Sequence, residues 1–273
     1  MEIRHATHPD EMDSLDGAGL RARFLVDGLF APGEARLAYS MSDRIVLGGV
    51  MPTGSDEIAL RPPPALRSDE FCDRREIGIA CLAGSGDVRA GNERYPMAEE
   101  EVVYLGKGTG PITFRGDGAA FYFVSAAAHD SHPPILARRG DAEAIAVGDP
   151  GHANARTIRK YIHPGGIRSC QLTLGITTLD AGSVWNTLPC HTHERRSETY
   201  LYFGLETGER ILHLCGRPES TRSIVVADRQ AVLSPPWSVH LGAGTASYRF
   251  VWATAGENQS WDDTDPVATD ELR

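Results

Sequence analysis

The chain is 273 residues long, so it can bury a sizeable core and form one large or two modest domains. Its net charge of −10 argues against a nucleic-acid partner, because phosphate binding needs a basic face. No stretch approaches the roughly 18 consecutive apolar residues that mark a membrane span, so the sequence predicts no membrane partner.

The cysteines and the N-terminal residues indicate the compartment. The five cysteines are odd in number and show no Cys-x-x-Cys spacing, a pattern typical of free thiols in a reducing environment. Residues 1–9 are polar and contain no apolar core of the kind that a secretory signal needs. We therefore expect a cytoplasmic protein.

Short β-branched and aromatic runs, separated by Gly, Pro, Asn and Asp, predict strand after strand along the chain. One short helical piece is predicted around residues 14–25. The clearest predicted strands are residues 44–47, 76–82, 102–105, 120–124, 171–176, 199–203, 223–226 and 248–252. The sequence therefore predicts an all-β fold with few short helices.

The two halves of the chain resemble each other, which predicts an internal duplication of a β-barrel domain. Residues 74–79 can be laid against residues 195–201, and each half ends in an aromatic strand. The first half has Phe71-Cys72-Asp73 where the second has a pair of histidines, so we expect no metal in the first half. The predicted division is a barrel over residues 1–137, a connector over 138–155 and a metal-binding barrel over 156–273.

Three histidines and one glutamate in the second half carry the strongest functional signal. His191 and His193, two residues apart, would project from the same face of a strand. Glu198 lies at an odd offset from them, so a bend at residues 195–197 is needed to bring it to that side. His240 would arrive from a separate hairpin. Three imidazoles and one carboxylate predict a divalent transition-metal site, and this ligand set suits Zn, Mn, Fe, Co or Ni.

Two neighbouring residues have simpler interpretations. His213 lies in an apolar run and has no partners at ligand spacing, so we expect it to be a core or cleft histidine. Cys190 directly precedes His191 and cannot share its face on a strand, so we do not expect it to be a ligand.

A duplicated barrel with His-x-His, Glu and a distant His resembles the cupins, which are jelly-roll-type barrels. The general cupin motif is matched imperfectly: Gly182 lies further upstream than usual, and Trp237 stands where the second motif has Gly. The run from Trp185 to Arg196 instead resembles the 5-keto-4-deoxyuronate isomerase family. That resemblance extends over nearly the whole chain, through segments at residues 24–26, 43–45, 48–52, 74–76, 106–108, 156–158, 160–161 and 256–259.

The resemblance implies a metal-dependent aldose–ketose isomerase of pectin and polyuronate degradation. Its small-molecule substrate would be 4-deoxy-L-threo-5-hexosulose uronate, and its product 3-deoxy-D-glycero-2,5-hexodiulosonate. In that family zinc is held at the positions matching His191, His193, Glu198 and His240, so the resemblance implies one Zn²⁺ per chain. It also implies a homo-oligomer, specifically a hexamer.

This chemistry needs a group that carries a proton and a cation that binds the substrate carboxylate. Tyr200 and Tyr202 share the face of Glu198 by alternation, and with Lys160 they are the candidates for the proton carrier. Lys160, Arg196 and Lys107 are the candidates for the carboxylate contact. Transfer of a proton through an enediolate and a metal-promoted hydride shift both stay open.

Three alternative functions compete with this interpretation. The 5-deoxyglucuronate isomerase of inositol catabolism is a related family that acts on a similar acid. A non-catalytic sugar-acid-binding cupin is possible, since a fold does not dictate a function. A metal-dependent dioxygenase would be distinguished by a requirement for iron and oxygen.

Overall fold

The computed structural model describes residues 1–273, and β-strands dominate it. A single α-helix, α1 (Gly17–Phe24), begins where the Asp16 side chain accepts a hydrogen bond from the Gly19 amide. Five 3-10 turns cover Pro9–Ser14, Pro64–Leu66, Arg139–Asp141, Pro150–His152 and Thr269–Glu271. The predicted all-β class with few short helices is confirmed. None of the helices is long and apolar enough to cross a membrane.

The strands are numbered in chain order. Those up to residue 137 are β1 (Glu2–Arg4), β2 (Leu25–Val26), β3 (Ala35–Ser40), β4 (Val46–Val50), β5 (Ile58–Ala59), β6 (Arg75–Ala83), β7 (Ser85–Ala90), β8 (Glu93–Ala98), β9 (Val102–Leu105), β10 (Ile112–Arg115), β11 (Ala120–Ala127) and β12 (Ile135–Ala137). Those that follow are β13 (Glu143–Val147), β14 (Arg156–Ile162), β15 (Thr173–Leu179), β16 (Trp185–Asn186), β17 (Cys190–Thr192), β18 (Arg196–Phe203), β19 (Ile211–Arg217), β20 (Ser220–Val226), β21 (Gln230–Ser234), β22 (Val239–Gly244), β23 (Arg249–Gly256) and β24 (Asp265–Val267).

These strands form two pairs of sheets that repeat one topology. The first pair is a seven-stranded sheet, β1-β3-β4-β11-β6-β9-β12, and a four-stranded sheet, β5-β10-β7-β8. The second pair is β13-β14-β15-β23-β18-β21-β2 and β16-β22-β19-β20. Strand for strand the orders correspond, except that β2 takes the edge position in the second sheet that β12 takes in the first. This correspondence supports an internal duplication.

Contacts along the chain define two compact units. The first unit comprises residues 1–3, 28–142 and 160–174, and the second comprises residues 4–27, 143–159 and 175–273. The division into barrels over 1–137 and 156–273 stays a prediction. Residues 138–155, predicted as a connector, contain the edge strand β13 and two 3-10 turns.

The same close packing of a glycine against an aromatic ring occurs in both units. A Cβ on Gly48 of β4 would lie 2.3 Å from the ring of Phe123, and one on Gly175 of β15 would lie 2.1 Å from the ring of Trp252. Real Cβ atoms do not approach so closely, so both positions need glycine. Phe123 and Trp252 occupy equivalent strands, β11 and β23, which is further support for the duplication.

In the first unit, a buried carboxylate anchors a chain segment that follows β14. Glu76 on β6 is fully buried and accepts hydrogen bonds from the Tyr104 hydroxyl at 2.8 Å and from three consecutive backbone amides. Those amides belong to Cys170, Gln171 and Leu172, at 2.7, 2.8 and 2.8 Å. Four donors satisfy the carboxylate, so its burial is tolerated.

We predict that Glu76→Gln lowers the free energy of unfolding by about 2–4 kcal/mol, because the new amide nitrogen faces donors instead of accepting from them. Urea denaturation at fixed protein concentration measures this change. The control is Glu93→Gln, which alters an exposed carboxylate at the start of β8 and should change stability by less than about 0.5 kcal/mol. Equal midpoints for both variants would contradict the anchoring role.

Candidate metal centre

A break between two strands brings the histidine pair and the glutamate together. Strand β17 ends at Thr192 and β18 begins at Arg196, so the bend lies at residues 193–195. It is two residues earlier than the predicted bend at 195–197, because Arg196 and Ser197 already pair in β18. The Arg196 amide donates to the His193 carbonyl at 3.1 Å, which closes this turn. Glu198 is then the third residue of β18 and lies on its inner face.

The four predicted ligands converge in the second unit. His240 enters from β22, and one potential ligand atom from each of His191, His193, Glu198 and His240 lies within 4.8 Å of the others. Glu198 Oε2 is 3.0 Å from both His193 Nε2 and His240 Nε2. His240 Nε2 is 3.2 Å from His191 Nε2. The cluster is buried apart from His191, which is half-buried.

Backbone carbonyls determine which ring nitrogens face the cluster. His193 Nδ1 donates to the Arg196 carbonyl at 2.9 Å, and His240 Nδ1 donates to the Ser238 carbonyl at 3.2 Å. With Nδ1 facing a carbonyl, Nε2 of each ring points to the centre, where its lone pair is available to a metal. Histidine ligands in metal sites typically make such a second hydrogen bond, so these residues fit a divalent cation.

The charges within the cluster also favour a cation. Burial raises the pKa of Glu198, but the charges and hydrogen bonds of His240 and His193 outweigh it and hold the pKa below its ordinary value. Burial, followed by the charge of His240, lowers the pKa of His191 to about 3, which leaves that ring neutral. Burial lowers the pKa of His193, but the hydrogen bond and charge of Glu198 outweigh it and raise that pKa, so a bound cation would take the place of the proton. Glu198 stays ionised and His191 neutral, which are the forms in which these side chains bind a metal.

The equivalent positions in the first unit are apolar. Glu198 is the third residue of β18 and pairs with the last residue of β21, and Ile77 has the same place on β6 opposite the last residue of β9. His240 lies opposite Cys215, which is two residues before β19 ends at the turn to β20. Phe114 lies opposite Val88, at the same distance from the end of the β7–β8 hairpin. The duplicated fold therefore forms without these polar groups.

Aromatic and polar side chains continue the inner face of the second unit beyond the ligands. Tyr200 and Tyr202 follow Glu198 by alternation, and both are buried. The Tyr200 hydroxyl lies 2.8 Å from Thr187 Oγ1, and the Tyr202 hydroxyl lies 2.7 Å from His213 Nδ1. Burial raises the pKa of both hydroxyls well above the ordinary value, and the nearby Glu198 adds to this for Tyr200 and the nearby Tyr248 for Tyr202. Both phenols therefore stay protonated.

The three predicted cations lie in different surroundings. Arg196 is buried, and its Nη1 and Nη2 donate to the carbonyls of Ser260 and Asp263 at 2.9 and 2.8 Å. Lys107 lines a surface cavity of about 320 Å³ in the first unit, and its Nζ lies 3.4 Å from the His129 carbonyl. Lys160 is buried on β14 and belongs to the first unit.

Two residues near the tyrosines, His213 and Arg156, were not predicted as site residues, although His213 was expected to be a core or cleft histidine. His213 is fully buried beside Tyr200 and Tyr202, with ring centroids 5.8 and 5.9 Å apart. The charge of Arg156, the first residue of β14, lowers the pKa values of Tyr200 and Tyr248 against the larger effect of their burial. Alternation along β19 could have placed His213 on the inner face once the partner strand was known.

Comparison with known proteins gives the same family as the sequence resemblance. A family model described as "KduI/IolB family" matches residues 29–271. The chain is 46% identical, over 280 residues, to a protein of Kineococcus radiotolerans named 4-deoxy-L-threo-5-hexosulose-uronate ketol-isomerase, and the match covers all of both chains.

Two solved structures support the fold. An IolB-like protein from Salmonella typhimurium matches with a TM-score of 0.70 at 16% identity, covering 87% of this chain and 94% of that one. An oxalate decarboxylase mutant from Bacillus subtilis matches with a TM-score of 0.59 at 10% identity, covering 82% and 71%. At such identities the likeness concerns the fold alone. From the family model and the full-length relative, the chain belongs to the KduI/IolB family.

Proposed function

We propose that this protein is a metal-dependent ketol-isomerase that converts 4-deoxy-L-threo-5-hexosulose uronate to 3-deoxy-D-glycero-2,5-hexodiulosonate in polyuronate breakdown. The observation that carries the proposal is the convergence of His191, His193, Glu198 and His240 in a chain 46% identical to a relative of that name. The reaction is a rearrangement within one molecule, so it needs no redox cofactor.

The residues of the second unit support this chemistry in three ways. A divalent cation held by the four side chains, zinc by resemblance, would supply Lewis acidity at a substrate oxygen. The backbone carbonyls at His193 and His240 keep the ring nitrogens oriented before substrate arrives. The buried rings of Tyr200 and Tyr202 exclude water, which strengthens electrostatic interactions with the substrate.

Arg156 is the cation that we propose for the substrate carboxylate. It is half-buried in the second unit, and its charge acts on Tyr200 and Tyr248 inside that unit. Its Nη1 donates to the Asn154 carbonyl at 2.7 Å, which fixes one edge of the guanidinium and leaves a planar cation suited to a carboxylate. Arg196, by contrast, has both terminal nitrogens in contact with backbone carbonyls.

We also infer a cytoplasmic homo-oligomer, which the resemblance specifies as a hexamer. All five cysteines are free thiols, which suits a reducing compartment. Leu212 and Val225 pair across β19 and β20 and are 48% and 47% exposed. A pair of exposed aliphatic side chains on one sheet face is suited to contact between subunits.

Metal content tests the ligand assignment. We predict about one divalent ion per chain in the wild type and little in His191→Ala and His240→Ala, because each change removes an imidazole ligand. Elemental analysis by mass spectrometry measures the content, and circular dichroism checks that the variants stay folded. The control is His5→Ala, which changes an exposed histidine and should keep the wild-type content. Equal content in all four proteins would overturn the assignment.

Turnover tests the reaction. We expect NMR to show the uronate aldose converting to the ketose without added redox cofactor, and we expect a chelator to abolish the conversion, because substrate activation depends on the bound cation. Deuterium incorporated from solvent at the product carbon would favour proton transfer over a hydride shift. Consumption of 5-deoxyglucuronate while the uronate returns unchanged would instead assign the inositol-pathway reaction.

Substitution of Arg156 tests the carboxylate contact. We predict that Arg156→Gln raises KM by about 10- to 100-fold and changes kcat by less than about threefold, since a charge-assisted hydrogen bond to bound substrate is lost. Steady-state kinetics on the uronate measure both constants. Lys107→Gln is the matched comparison and should leave KM unchanged. The reverse result, with KM raised only in Lys107→Gln, would return the contact to Lys107.

A further inference from the structure

One buried histidine of the second unit has an unexplained ring nitrogen. His213 on β19 is fully buried, and its Nε2 has no hydrogen-bond partner in the chain. Buried polar atoms normally find a partner, so an unpartnered one marks a place where a ligand or another group belongs. His213 is not one of the four clustered ligands.

Hydrogen bonds around Tyr202 determine the tautomer of His213. Asn186 Nδ2 donates to the Tyr248 hydroxyl at 2.7 Å, and the Tyr248 hydroxyl donates to the Gly242 carbonyl at 3.1 Å. The Tyr202 hydroxyl receives only a long contact from Asn186 Nδ2, at 3.5 Å. Its own proton therefore goes to His213 Nδ1, at 2.7 Å. A neutral ring that accepts at Nδ1 carries its proton on Nε2, so the unpartnered atom is an N–H donor.

The register places this donor one row of side chains from the ligands. On β19, Cys215 lies opposite His240 and His213 lies opposite Gly242, so His213 and His240 are diagonal neighbours on one face. Such neighbours have Cα atoms about 7–8 Å apart. The Tyr200 ring touches both histidines, at centroid distances of 5.8 Å and 5.5 Å. A six-carbon acid is long enough to reach both the ligands and the donor.

The first unit shows that the fold does not need this donor. Four residues before the end of its hairpin, β19 has His213, whereas β7 has Gly86 at the same place. Tyr202 is the seventh residue of β18, and the seventh residue of the equivalent strand β6 is Cys81. The first unit therefore lacks the pair of His213 and Tyr202. In the second unit this pair leaves a buried donor unsatisfied, which lowers stability and contributes nothing that the fold requires.

We propose that His213 is a catalytic residue of the second unit, whose Nε2–H donates a hydrogen bond to a reacting oxygen of the substrate, and that Tyr202 is its positioning residue. The proposal rests on the proposed isomerase function. A neutral donor fixed in a water-poor interior stabilises negative charge that develops on a carbonyl or enediolate oxygen. Because Tyr202 holds the proton on Nε2, no reorganisation is needed during the reaction.

Kinetics with matched variants test the donor. His213→Phe should lower kcat at least 100-fold at unchanged metal content, because one charge-stabilising donor is lost. His213→Gln can offer an amide N–H from a side chain of similar reach and should recover kcat to within about tenfold of the wild type. The control His152→Phe changes an exposed histidine of the same unit and should behave as the wild type.

NMR of protein labelled with ¹⁵N-histidine gives a readout besides activity. Long-range ¹H–¹⁵N spectra, with His213 assigned by its loss in His213→Phe, should show the Nε2–H tautomer in the wild type. Tyr202→Phe removes the hydroxyl that fixes this tautomer, so a mixture of tautomers and a kcat reduced about tenfold are expected. Addition of the uronate should shift the His213 Nε2–H signal.

The outcomes separate this proposal from the proposed function. If the wild type isomerises the uronate and metal-replete His213→Phe does so equally well, the donor role is wrong and the function stands. If the wild type turns over nothing, the function and the catalytic role of His213 both fail, and a shift of the His213 signal on addition of uronate would show a binding contact only. A wild-type His213 protonated on Nδ1 would overturn the orientation by Tyr202.

Discussion

Two hydrogen bonds to backbone carbonyls determine what the second unit can hold. They bind Nδ1 of His193 and of His240, and they leave the Nε2 atoms facing Glu198 at 3.0 Å. The bend between β17 and β18 allows this arrangement, because it brings Glu198 to the side of the histidine pair. The ligand geometry therefore originates in backbone conformation, which neighbouring side chains cannot easily disturb.

The duplication separates the requirements of the fold from those of the site. Both units share one sheet topology and one glycine–aromatic contact, yet Ile77 and Phe114 fill the first interior where Glu198 and His240 occupy the second. The apolar copy has a core of aliphatic and aromatic side chains. The second unit has polar side chains at those positions and so loses part of the hydrophobic stabilisation. Such a loss is typical of a functional site in an otherwise consistent fold.

Much of this arrangement could be predicted from the sequence, because it depends on local pattern. Short β-branched and aromatic runs predicted eight of the strands, and period-two alternation predicted the shared face of Glu198, Tyr200 and Tyr202. The roles proposed for His213 and Arg156 depend on which strands become neighbours, and spacing along the chain does not encode that. The edge position of β2 was also beyond prediction, since a two-residue strand has no periodicity of its own.

X-ray absorption spectroscopy of the metal-loaded protein is the sharpest test of the four-ligand site, because it reports the ligand atoms themselves. We predict a first shell of three imidazole nitrogens and one carboxylate oxygen at about 2.0–2.2 Å, with the multiple scattering that imidazole rings produce. The same shell should lose one imidazole in a His240 variant that still binds metal. A shell containing sulfur, or one of oxygen atoms without imidazole scattering, would rule out the three-histidine, one-glutamate site.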